Sequence, residues 1–282
     1  MSSKKLIRDE FEEKLIREYF ACGSINKVFQ KHHYNLPISF AGYDRVLTKY
    51  GVVKSAGPNS KLSESLFLMS LLADYKISLE KIYHRFAPKT FQVSSNTLHR
   101  ILHYTRLGLT RRQGVALLIV TKDKPTKVLM GNDFSLRDKK LGNKGDLSLP
   151  MGYSKLGEPA KDSIARVLQN EVFTNRVVAR KFPWKVIPDH NKPVMYVNIA
   201  DICVSVYKLE IPTKLVDFSS LKLRNIRFRE ISEIDKYSLR AGVEDIVKTY
   251  ENLGKSEQSA EALVVNSKLN SSIFALARDP AE

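Results

Sequence analysis

Between residues 8 and 22 the apolar positions Phe11, Leu15, Ile16, Tyr19 and Phe20 fall on one side of a helix, and Gly23 ends the run. Ser24 is placed to cap a second helix, SINKVFQKHHY. The segment NLP turns the chain, and a third helix is expected from about Ser39 to Tyr50, closed by Gly51. Short helix, tight turn and short helix read as a helix-turn-helix. The pattern then recurs: an apolar helix at 61–75, a second helix capped by Ser78 and ended by Pro88, and a third in SSNTLHRILHYTR. Ser24, Lys27, Val28 and Phe29 align with Ser78, Lys81, Ile82 and Tyr83, while Arg45-Val46-Leu47 aligns with Arg100-Ile101-Leu102 after one inserted residue.

Past residue 112 the period changes. GVALLIV (114–120) is a continuous apolar strand expected to be buried on both faces, and KVLMGND (127–133) is the next, with KDKPTK between them expected as a hairpin turn. A polar, glycine-bearing loop (134–146) leads to a short strand at 147–150. Glu158-Pro159 then open a helix on which Ile164, Leu168 and Val172 recur every four residues. More strand material follows at 194–211 and 222–235, and a closing helix ends at Gly254. The pattern therefore divides the chain into an all-α helix-turn-helix region at 1–108, an α/β domain at 112–254, and a tail at 255–282 expected to be mobile with one short helical patch.

The charge adds a partner class. The formal net charge is +16, which implies attraction to polyanions, nucleic acid first. The excess is shared: residues 1–110 hold 17 basic and 9 acidic side chains, and the remainder holds 29 and 21. In each helical copy the third helix would be the groove reader. Its candidate contacts are Ser39, Arg45 and Lys49 in the first copy, and Ser95, Asn96, His99, Arg100 and His103 in the second. His99 and His103 stand four apart, as metal ligands can, but no partner ligand lies near them, so the polar-face reading is preferred. The bland alternative is a helical bundle that binds protein or mediates dimerisation. No apolar run approaches the roughly 18 residues a membrane helix needs, and Cys22 and Cys203 are isolated, so a reducing, cytoplasmic setting is expected.

The stretch from Leu147 to Thr174 carries the candidate chemistry. Leu149-Pro150-Met151-Gly152 precedes five residues and Glu158, and seven more lead to Arg166. This spacing resembles the box of the Nudix hydrolases: Gly, five residues, Glu, seven residues, then Arg-Glu-aliphatic-any-Glu-Glu-any-Gly-aliphatic. The resemblance implies an α/β/α sandwich with a mixed sheet, a divalent ion (Mg or Mn), and a nucleoside diphosphate derivative as substrate. Phe228-Arg229-Glu230-Ile231 resembles the family's aromatic strand leading to an acidic stretch. The second half of the box departs from the pattern, because only Leu168 and Glu171 match there.

In the family three glutamates share one helix edge, at the positions held here by Val167, Asn170 and Glu171. Mg²⁺ and similar hard cations need clustered oxygen ligands; Val167 offers none and Asn170 only a neutral carbonyl. Gly152, Glu158 and Arg166 are positions the family uses mainly to hold the loop against the helix. Gly152 and Glu171 remain as candidate metal positions, and Gly152 and Arg227 as candidate ligand contacts. Arg224, Arg227 and Arg229 are expected along one strand face, where they could meet phosphate or simply water. Trp184 is expected as an anchored aromatic, with base stacking the alternative. Two functions follow from these features. One is a DNA-binding regulator with a nucleotide-sensing, catalytically impaired domain. The other is an active metal-dependent pyrophosphohydrolase using Glu158, Glu171 and a loop carboxylate such as Glu230 or Glu233.

Overall fold

The computed structural model describes residues 3–54, 112–135, 141–155, 157–199, 202–215, 217–253 and 262–268. Side chains in the first helix are described from residue 9 onward. The second copy expected from the sequence, with Ser95, Asn96, His99, Arg100 and His103, lies outside the described residues.

The first copy forms three helices: α1 (Ser3–Cys22), α2 (Ile25–Lys31) and α3 (Phe40–Lys49). Both expected caps are made. Ser24 Oγ accepts from the Lys27 N–H at 3.2 Å, and Ser39 Oγ accepts from the Gly42 N–H at 3.0 Å. Leu15, Ile16, Tyr19 and Phe20 meet Val28, Phe29, Tyr43 and Leu47 in one core. The Tyr43 hydroxyl is buried there, donates to the Leu15 carbonyl at 2.6 Å, and has its pKa pushed up, chiefly by that burial. This core does not close on itself: Val177 and Val178, from the other half of the chain, complete it.

The α/β half contains β1 (Arg112–Thr121), β2 (Lys127–Asp133), β3 (Leu147–Ser148), β4 (Met151–Ser154), α4 (Ala160–Glu171), α5 (Thr174–Val178), β5 (Met195–Ile199), β6 (Ile202–Ile211), β7 (Leu223–Glu230), α6 (Val243–Leu253) and β8 (Leu263–Asn266). Five strands form a mixed sheet in the order β4-β1-β6-β5-β8, and three form an antiparallel sheet, β3-β2-β7. Along β1 the pleat sends Val115, Leu117 and Ile119 toward α4, and Ala116, Leu118 and Val120 toward α6. Both faces of β1 are thus covered, which explains its unbroken apolar run. The fold is α/β, with a helical region followed by an α/β/α sandwich.

Four expectations change: the strand material expected at 222–235 ends at Glu230, and Ile231–Lys236 form a 3-10 helix instead. β1 and β2 do not pair as a hairpin; each joins a different sheet, and the KDKPTK turn carries the chain between them with only a Thr121–Lys124 bridge. The chain after the short strand expected at 147–150 is not simply a connection to the helix: Met151–Ser154 form β4, an edge strand antiparallel to β1. The tail expected to be mobile at 255–282 supplies β8, which adds parallel to β5 from Met195–Leu263 to Asn198–Asn266.

Candidate functional site

The loop from Ser154 to Pro159 and helix α4 form the centre of the candidate site. Arg166 is the hub. Its side chain is 4 % exposed and that of Glu158 is 9 % exposed, and the two meet in a two-pronged pair: Nη1 donates to Glu158 Oε2 at 2.9 Å, and Nη2 donates to Oε1. Nη1 also donates to the Tyr153 carbonyl at 3.0 Å, and Nε donates to the Lys54 carbonyl at 2.6 Å. Burial pulls the Arg166 pKa down from its usual value, yet a guanidinium stays charged at any physiological pH. Glu158 further accepts from Ser163 Oγ at 2.7 Å and from the Lys155 N–H at 3.1 Å. With those lone pairs committed, Glu158 holds the loop rather than standing free as a metal ligand or base.

The edge that the family uses for metal does not fit one here. Val167 is buried against β4: a Cβ built on Gly152 would lie 3.2 Å from Val167 Cγ2. Asn170 turns its amide back along the helix, Nδ2 donating to the Arg166 carbonyl at 3.0 Å. Glu171 is buried, and its Oε1 lies 3.3 Å from Lys222 Nζ, so an ammonium group already neutralises the remaining carboxylate. The loop carboxylates named for the hydrolase reading are engaged as well. Glu230 pairs with Lys127 at 2.9 Å, which holds its pKa below the usual range, and Glu233 pairs with Lys236 at 2.8 Å. Among the described residues no group of three or more His, Cys, Asp or Glu side chains comes together.

Space follows the same division. Beside Gly152 lies a cavity of about 40 Å³, bounded by Tyr153, Ile199, Arg240 and Ala241; this is room for water rather than a nucleoside. A larger groove, about 440 Å³, runs past the C-terminal end of α4 between α5 and β7. Asn175, Phe218, Ser219, Ser220, Arg224 and Asn225 line it. Ser220 Oγ donates to the Asn170 carbonyl at 3.2 Å, which joins the groove to the edge just described. Arg227 is exposed on β7 and lies outside the groove lining.

Of the candidate DNA contacts in the first copy, Arg45 is exposed on α3 and Ser39 serves as that helix's cap. Lys49 bonds the buried Glu12, which also accepts from Arg180 Nη2 at 3.3 Å. Asp44 pairs with Lys54. The polar face of α3 is thus partly consumed by internal pairs.

Two residues that spacing did not single out matter most to the geometry. Lys222 is one. Gln169, fully buried, is the other: Nε2 donates to the Gly51 carbonyl at 2.8 Å, and Oε1 accepts the Val53 N–H at 2.8 Å. Arg166 and Gln169 stand three apart on α4, so one helix face grips the chain as it leaves α3. Trp184 packs edge-on against Phe182 at 4.8 Å and approaches Gly51, an anchored aromatic that is 46 % exposed. No helix among the described residues is long and apolar enough to cross a membrane.

No family model and no curated protein matches the chain. Among solved structures it is similar to a NUDIX hydrolase from Nitrosomonas europaea, at 15% identity and a TM-score of 0.40, over 56% of this chain and 80% of that one. It is also similar to the NUDIX domain of Shewanella oneidensis NrtR complexed with ADP ribose, at 11% identity and a TM-score of 0.38, over 62% and 98% of the two chains. A MutT protein from Methanosarcina mazei Go1 matches at 16% identity and a TM-score of 0.38, over 52% and 96%.

Proposed function

We propose that the chain is a DNA-binding regulator whose α/β domain is of Nudix type, binds a nucleotide-derived ligand, and does not hydrolyse it through a divalent metal. The observation that carries this reading is the division within α4. Arg166 and Glu158 keep the loop-holding pair, whereas Val167, Asn170 and the Lys222-paired Glu171 supply no cation cradle. The groove between α5 and β7 has the size of a nucleotide site and presents Arg224 and two serines beside aromatic Phe218. Gln169 and Arg166 bond the segment that follows α3, so a ligand that favours one arrangement of α4 biases the first helical unit. In this reading Arg45 on α3 and Arg100 in the second copy contact DNA, and Mg or Mn is not needed for binding.

The test is direct. Purified chain is incubated with Mg²⁺ or Mn²⁺ and nucleoside diphosphate derivatives, ADP ribose included because the Shewanella oneidensis domain was solved with it. Binding without turnover supports the regulator. Metal-dependent turnover that Glu171→Gln abolishes overturns it in favour of a pyrophosphohydrolase. DNA retention that falls steeply with salt, and weakens in Arg45→Ala, supports the nucleic-acid half.

A further inference from the structure

β7 carries Arg224, Arg227 and Arg229, expected along one face, although in a regular strand a spacing of three and then two would set Arg224 on the face opposite the other two. A bulge prevents this. Arg229, Arg227 and Arg224 sit opposite Val128, Met130 and Asn132 of β2, and the register shifts between Met130 and Asn132 to absorb Asn225, which has φ of 51°. Since Val128, Met130 and Asn132 alternate regularly, all three arginines emerge on one face. Ile226 and Phe228 point the other way, into the core beneath α4.

The row is also held in shape. The Arg224 guanidinium lies over the Phe134 ring at 4.6 Å, and that of Arg229 lies over Tyr237 at 4.9 Å. Arg229 is only 9 % exposed, and its Nε has no hydrogen-bond partner among the described residues. Arg227 stands between them, exposed. The nearby carboxylates are engaged elsewhere: Asp133 with Arg240 at 3.2 Å, and Glu230 with Lys127. β7 is the outer strand of its sheet, so its far edge is unpaired among the described strands.

We propose that this arginine row binds the phosphodiester backbone of a nucleic acid, as a second contact surface on the α/β domain. Four residues of extended strand separate the outer register partners, a span of about 14 Å. That is too long for one diphosphate and suits successive phosphates along a strand. Guanidinium groups fit phosphate oxygens in pairs, and ring stacking fixes their planes beforehand. The row shares Arg224 with the ligand groove and rests on the DNA-binding half of the function proposed above, to which it adds a contact surface outside α3; Arg227 lies outside the groove lining, so its variants test the row by itself.

The experiment uses the full chain with labelled single-stranded and duplex oligonucleotides, followed by anisotropy between about 50 and 200 mM salt. Arg227→Ala is the main variant, because an exposed side chain can be truncated with little effect on folding; an unchanged thermal midpoint checks this. Loss of one phosphate contact should reduce the salt slope by about 0.9 for duplex, or 0.7 for single strand, and weaken binding about tenfold at low salt. The arm that changes identifies the form bound, and Arg227→Glu should weaken it further. An Arg227→Ala chain with wild-type affinity and slope overturns the proposal, even if Arg45→Ala lowers DNA binding. So does Arg227-dependent binding of pyrophosphate or polyglutamate without any binding of oligonucleotide.

Discussion

Replacing Gln169 with alanine removes the double bond by which α4 holds the chain after α3. Both amide ends are used at 2.8 Å inside a fully buried side chain, so the substitution strands one backbone donor and one acceptor. The Val53 N–H lies in a half-buried segment and loses its partner outright, at a cost of about 1–3 kcal/mol. The Gly51 carbonyl belongs to an exposed residue and can turn to water, so its share is smaller. The expected loss is about 2–4 kcal/mol in all, a large part of the 5–15 kcal/mol that holds an ordinary domain together.

The chain's only tryptophan reports on this contact, since Trp184 approaches Gly51 and packs on Phe182. In urea the Trp184 emission of Gln169→Ala should shift at lower denaturant than the helical circular dichroism signal, as the first helical unit releases before the rest unfolds. Gln169→Glu sharpens the reasoning. A carboxylate buried against the Gly51 carbonyl has its pKa raised, so the defect is full at neutral pH and narrows as pH falls and the acid can donate. Coincident transitions, and an emission midpoint equal to wild type, would refute the claim that Gln169 fastens the two halves.

Other outcomes follow from the same geometry. Arg166→Met strands a carboxylate that is 9 % exposed and should cost about 3–5 kcal/mol by urea unfolding, whereas the double replacement with Glu158→Leu should recover part of it. Gly131→Ala should disturb the β2–β7 register, because a Cβ there would lie 3.0 Å from Leu223 Cβ and 3.2 Å from the Arg224 carbonyl; amide exchange along β7 measures it. Glu244 pairs with Lys248 at 2.8 Å and Lys268 at 2.9 Å, and these contacts hold its pKa below the ordinary 4.5. A lowered carboxylate pKa contributes stability above pH 4.5 that is lost as pH falls through the folded value, so β8 amides should lose exchange protection on acidification before those of β1.

Local signals were legible where the chain's own neighbours decide the outcome. Ser24 and Ser39 cap the helices they precede, β2 runs over the expected residues, and the stripe of Ile164, Leu168 and Val172 is buried. What escaped depends on distant partners. β8 is four residues whose strand character comes from β5, far back in the chain, and no period can be read from so short a run. The KDKPTK turn looks like any hairpin turn, and only the separate partners of β1 and β2 reveal a crossing between sheets. Lys222 and Gln169 are ordinary polar residues until the fold sets Glu171 beside one and Gly51 beside the other. The three arginines share the face expected of them, but through the register shift near Asn225 rather than through the simple alternation assumed for them.

The half of the box that persists has a physical reason to do so that is independent of catalysis. If Arg166 only braced a phosphate loop for a metal reaction, nothing in the present site would require it, since the cation edge is filled by Val167 and Lys222. Its third attachment changes that. Nη1 and Nη2 tie the loop through Glu158 and Tyr153, while Nε reaches the Lys54 carbonyl, so one rigid fork spans the loop, β4 and the chain arriving from α3. A lysine could not serve, because a single ammonium on a flexible stem cannot fix three directions at once. The junction it holds is therefore reason enough to keep this half of the motif, whether or not the other half carries chemistry. Any ligand that moves Glu158 must then either pull on Lys54 or break a buried ion pair, a stiffness that would serve the sensing role proposed above.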